Sequence, residues 1–119
     1  MGVSMYESDY QNHQSRWSRA PDFVASPNGF ISPIQDGAIR NSDAWGGGMH
    51  FTGGSGGKGM HEWVSSTRVM DETRNHSART IYENSGGKKV NPFTGHTVSN
   101  SHPFAHFYHS EKYGKSGKL

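Results

Sequence analysis

Met60–Asn84 reads MHEWVSSTRVMDETRNHSARTIYEN, and the expected architecture rests on it. Met60, Trp63, Val64, Met70, Ala78, Ile81 and Tyr82 approximate the 3.6-residue spacing of one helical face, and Gly86-Gly87 supplies a stop, so an amphipathic helix is expected over residues 60–85. Arg79 and Glu83 add an i, i+4 ion pair, and with Thr67 as an alternative cap Asp71 and Glu72 fall near the favourable N-terminal end. The apolar stripe is thin and broken by Ser, Thr and Asn. A helix of this kind is marginal alone and needs a partner to cover Trp63, Met70 and Ile81.

Downstream, residues 86–119 hold two Pro-Phe cassettes, Asn91-Pro92-Phe93-Thr94-Gly95-His96 and His102-Pro103-Phe104-Ala105-His106. Proline fixes one backbone angle and holds its predecessor extended, so each Phe is presented from a pre-set turn. A second short helix is expected over His102–Tyr113, with Pro103 in its first turn and Gly114 beyond its end. On that helix His102, His106 and His109 share one face and could ligate zinc or copper, while Phe104, Phe107 and Tyr108 cover another. No matching carboxylate completes that shell, apart from nearby Glu111, so the histidines are read as structural or partner-contacting and no metal or cofactor is expected. Lys112, Lys115 and Lys118 make a basic tail without a nucleic-acid fold to present it.

Upstream, residues 45–59 (WGGGMHFTGGSGGKG) read as a glycine-rich hinge. Gly56-Gly57-Lys58 is not a phosphate loop, because Thr52 stands where the pattern needs Gly and Gly59 where it needs Ser or Thr. His61-Glu62 likewise fails the zinc-protease pattern at Ser65. Residues 1–44 read as an extended arm with Trp17, Phe23 and Phe30 as anchors, and Ser26-Pro27-Asn28-Gly29 is a strong turn signal.

Composition points the same way. Leu, Ile, Val and Phe supply 17 of 119 residues and the only leucine is Leu119, which leaves little for a helical core. Gly, Pro and Ser together supply 37 residues, the range of irregular chains. Against a plain disordered tail, net charge is only +2 and aromatics reach 12%. These rings need burial, and few aliphatic partners exist within the chain. The absence of cysteine excludes a disulfide scaffold and thiolate metal sites. No apolar run reaches 18 residues and the N-terminus lacks the regions of a signal peptide, so no membrane partner is expected.

Lys88-Lys89-Val90-Asn91-Pro92-Phe93-Thr94-Gly95 resembles the Asn-Pro-aliphatic-Thr-Gly signature of small ciliary proteins that line the inside of doublet microtubules, with Phe93 in the aliphatic place. The resemblance implies a microtubule inner protein of the axoneme that folds along tubulin and neighbouring structural proteins, in the cytoplasm and cytoskeleton of a cilium or flagellum.

The resulting expectation is a non-enzymatic structural protein. Its fold class is a mostly irregular, extended chain with one or two short α-helices and no self-contained globular core. Its partner-binding residues are Trp17, Phe23, Phe30, Trp45, Trp63, Met70, Ile81, Asn91, Pro92, Phe93, Phe104, Phe107 and Tyr108. The alternatives are an accessory subunit of a ribosome or respiratory complex, and a metal-binding module built on the three C-terminal histidines.

Overall fold

The computed structural model describes residues 19–43 and 47–110, and within them the chain makes seven strands and no helix. They are β1 (Phe23–Ala25), β2 (Ile31–Pro33), β3 (Ile39–Asp43), β4 (Gly48–Thr52), β5 (Ser66–Met70), β6 (Arg79–Glu83) and β7 (Phe107–Tyr108). Strands β3 to β7 pair antiparallel in sequence order as one five-stranded meander, and β1 and β2 form a separate hairpin.

The expected helix over residues 60–85 is therefore corrected to a strand, a connection and a second strand. Thr67, Val69, Thr80 and Ile81 are β-branched, and β5 and β6 pair in unbroken register from Ser66 opposite Glu83 to Met70 opposite Arg79. The glycine-rich segment read as a hinge contains β4, which lies between β3 and β5 with Phe51 only 1% exposed. The expected second helix over His102–Tyr113 is replaced, as far as Ser110, by turns and the two residues of β7.

The expectation of an extended chain without its own core is overturned. The radius of gyration is 14.9 Å, against about 13 to 14 Å for a compact domain of this length and about 35 Å for an unfolded one. Alternation along the strands puts two cross-strand rows on the inner face: Phe51, Thr67 and Tyr82, and Met49, Val69, Thr80 and Phe107. The β1–β2 hairpin and residues 34–38 cover that face. Ile34, Ala38, Phe51 and Val69 form one cluster with Val24 and Met49 against it. Met60, Val64, Tyr82, Val90 and Phe107 form the other, with Phe30 and Phe104 packed on it.

What the chain lacks in leucine it replaces with hydrogen-bonded polar groups between the layers. Ser32 Oγ and Thr80 Oγ1 lie 2.7 Å apart, and Thr80 Oγ1 lies 2.7 Å from His109 Nε2. Thr67 donates to Gln35 Oε1 at 2.6 Å, and Gln35 Nε2 donates to the carbonyls of Phe51 and Gly53. Tyr82 donates to the Pro33 carbonyl at 2.8 Å, and burial pushes its phenol well above the usual range. Ser32, Gln35 and the Pro33 carbonyl thus meet Thr80, Thr67 and Tyr82 across the layers, which fixes how the hairpin sits on the sheet.

Candidate functional site

Asn91–His96 is a turn held from within. The Asn91 side-chain oxygen accepts the backbone N–H groups of Phe93 and Thr94, at 2.8 and 3.3 Å. Gly95 N–H donates to the Asn91 carbonyl and Asn91 N–H to the His96 carbonyl. Two further bonds seat the turn on the sheet: His61 N–H donates to the Pro92 carbonyl at 2.7 Å, and Val90 N–H to the Tyr82 carbonyl at 2.9 Å. Asparagine and proline make this geometry locally, one by imitating a backbone acceptor and the other by fixing φ.

The turn carries Phe93 outward, 42% exposed, yet backs it with a relay of rings that runs to the core. Phe93 meets Phe104 edge-on at 5.9 Å, Phe104 lies 5.2 Å from Phe107, and Phe107 meets Tyr82 edge-on at 5.8 Å. On the other side, the Gly95 backbone lies against the side chains of His61 and Trp63. Trp63 N–H donates to His61 Nδ1, the two rings meet edge-on at 4.8 Å, and Trp63 is 54% exposed. Two large exposed aromatics therefore flank one rigid turn.

A second apolar surface lies on the outer face of the β1–β2 hairpin. Phe23 opposite Pro33 and Ala25 opposite Ile31 leave no polar side chain there, and Phe23 and Ile31 are 53% and 49% exposed.

The expected anchors divide accordingly. Phe23, Trp63 and Phe93 are exposed, whereas Pro92, Phe107, Met70 and Ile81 are buried in the protein's own fold. Phe30 stacks on His109 at 4.9 Å, Phe104 bridges surface and core, and Tyr108 stacks on His106. Trp17 and Trp45 lie outside the described residues, as does the lysine tail. The three C-terminal histidines do not converge: His102 Nδ1 accepts Phe104 N–H, His106 is occupied by Tyr108, and His109 is buried on Thr80. Among the described residues no group of three or more potential ligands could hold a metal ion.

One polar cluster escaped the sequence reading because its members come from three strands. On the sheet's outer face His50 Nε2 lies 3.0 Å from Ser66 Oγ, Ser66 donates to Glu83 at 3.2 Å, and Arg68 pairs with Glu83 at 3.2 Å. Burial, then the Arg68 charge, holds His50 below the ordinary imidazole range. The serine stands between imidazole and carboxylate, so the carboxylate does not orient the histidine as a nucleophile's base requires. With Ser66 itself only 8% exposed, the arrangement fastens β4, β5 and β6 together. No protein-family model matches the chain, and neither a curated protein nor a solved structure matches it.

Proposed function

We propose that this chain is a non-enzymatic structural protein that docks, as a preformed β domain, into a larger assembly, and that the assembly is the inner wall of axonemal doublet microtubules. The observation that carries the docking is Phe93, exposed on a turn whose backbone is fixed by Asn91 and whose ring is backed by Phe104. An anchor held this way loses little conformational freedom on binding, so more of its apolar burial remains as affinity. A buried aromatic contributes roughly 1.5 to 3 kcal/mol, and the Phe93–Trp63 surface and the Phe23–Ile31 surface give two such contacts. The microtubule wall is proposed on the resemblance of Asn91-Pro92-Phe93-Thr94-Gly95 to the inner-protein signature.

The test is to polymerise tubulin with the protein present, so that luminal sites remain reachable, and to pellet the polymer. Co-pelleting that saturates, and that falls several-fold in Phe93→Ala with its fold intact, is expected. Wild-type protein left in the supernatant at micromolar tubulin overturns the microtubule reading. Undiminished pelleting of Phe93→Ala overturns the role of the turn.

A further inference from the structure

The space between the β1–β2 hairpin and the sheet stays open at the end where β5 runs into the β5–β6 connection. A recess of about 430 Å³ opens there. Protein interiors rarely leave voids larger than a water molecule, whereas ligand pockets run from roughly 300 to 1,000 Å³ and are mostly apolar with a few placed polar groups. The walls fit that description. Val24, Met49 and Val69 face it from the core cluster, and Met70 and Ala78 extend it. Apolar walls facing water forgo the dispersion contacts that a packed neighbour supplies, and a ligand would restore them. Met49, flexible and polarizable, lets the wall adjust to the shape that enters.

The polar groups give the recess a sign. Asp71 and Glu72 stand exposed at its rim, and among the described residues no Lys or Arg lines it. At its inner side His109 is bound to Thr80, and burial, then the Arg79 charge, keeps its imidazole below the ordinary range and so neutral at pH 7. The charged side chains that line it among the described residues are the two carboxylates, which favour a cation over an anion at the entrance. We infer that this recess binds a small amphipathic cation, an ammonium or amidinium group at Asp71 carrying an alkyl or aryl body between Val24 and Val69. The site lies apart from the Asn91–Gly95 turn, shares no residue with it, and does not depend on the docking role.

The test titrates the isotope-labelled full chain with n-hexylammonium, 1-hexanol and hexanoate, following the amides of Val69 and Ala78 and the methyl groups of Met49 and Met70 by NMR. The three probes share one apolar body and differ in charge. Saturable shifts are expected with the cation tightest and hexanoate weakest, and n-butylammonium should bind about 15-fold more weakly, at about fourfold per methylene removed. Asp71→Asn with Glu72→Gln, both at exposed positions, should reduce the preference for the cation over the alcohol by about two- to fivefold. Ala78→Trp should fill the recess and abolish the shifts. An absence of saturable shifts overturns the site, and hexanol or hexanoate binding as tightly as hexylammonium overturns its charge selectivity.

Discussion

Replacing Gly95 by alanine tests the turn and its seat on the sheet together. Gly95 has φ of 76°, and a Cβ built there would stand 2.6 Å from His61 Nδ1 and 2.9 Å from Trp63 Cε3. Ordinary carbon contacts are about 3.5 to 4.0 Å, so His61 would have to retreat by roughly 1 Å. Positive φ alone costs an alanine roughly 1 to 2 kcal/mol, partly offset by the stiffer unfolded chain. Displacing His61 adds the hydrogen bond from Trp63 N–H, about 0.5 to 1.5 kcal/mol, and the edge-on ring contact, of similar size. The total for Gly95→Ala is about 2 to 4 kcal/mol. Gly59, at φ 88° with nothing within 4 Å, carries the backbone penalty without the crowding. Gly59→Ala should therefore lose only about 1 kcal/mol. Urea unfolding of both variants measures the gap, and the Trp63 indole N–H resonance reports the displaced ring. Equal losses within about 0.5 kcal/mol, with that resonance unmoved, would refute the packing of the turn on His61 and Trp63.

Stability should fall as the solution is acidified. Burial holds His50, His106 and His109 below the ordinary value of 6.5, so the unfolded chain takes up these protons first. Their contribution is complete above about pH 6.5 and is lost as pH falls through the folded-state values. A urea midpoint lower at pH 5 than at pH 7.5 is expected, with a shallower dependence in His109→Gln, and a flat profile would contradict it. Thr80→Val should cost about 1 to 3 kcal/mol, because it leaves Ser32 Oγ and His109 Nε2 without the partner they share. Adding Ser32→Ala should cost less than the sum of the single losses, and strict additivity would argue against the bridge. Phe93→Ala should lower stability by only about 1 kcal/mol, since the ring already faces solvent over much of its surface.

The local turns were legible and the fold was not. Ser26-Pro27-Asn28-Gly29 does reverse the chain, between β1 and β2, with Gly29 N–H on the Ser26 carbonyl. Asn91–Gly95 forms the turn that its Asn-Pro and Gly announce, because such residues set geometry through their immediate neighbours. The sheet stayed hidden because Thr67 and Thr80 on its inner face, and Ser32 and Gln35 in the layer that covers it, are not hydrophobic. Thr67, Thr80, Ser32 and Gln35 belong to residue types that are mostly exposed, yet all are buried, their polar atoms paired across layers by contacts 32 and 48 residues apart. With these set aside, the helix reading rested on Met60, Trp63, Val64, Met70, Ala78, Ile81 and Tyr82, whose spacing imitates a helix. The count of aliphatic residues misled for the same reason, since hydroxyls and rings occupy places that leucine fills elsewhere. Of the candidate site, Phe93 and its turn could be read directly. The proximity of Trp63, and the recess between the layers, depend on strand pairing that no short window contains.

The bond from Asn28 to the His109 carbonyl spans 81 residues and ties the first hairpin to nearly the last described segment. At a synthesis rate of roughly 5 to 20 residues per second, the hairpin would wait about 4 to 16 s on the ribosome before its partner exists. During that interval β3 to β6 are made, but Phe30 lacks the His109 ring it stacks on and the Phe107 of the cluster it packs against. A chain that stalls before β7 therefore has its cover and four strands of the sheet made but leaves Phe30 and Tyr82 without Phe107 between them, so slow translation there would be a route to aggregation that the finished domain does not share.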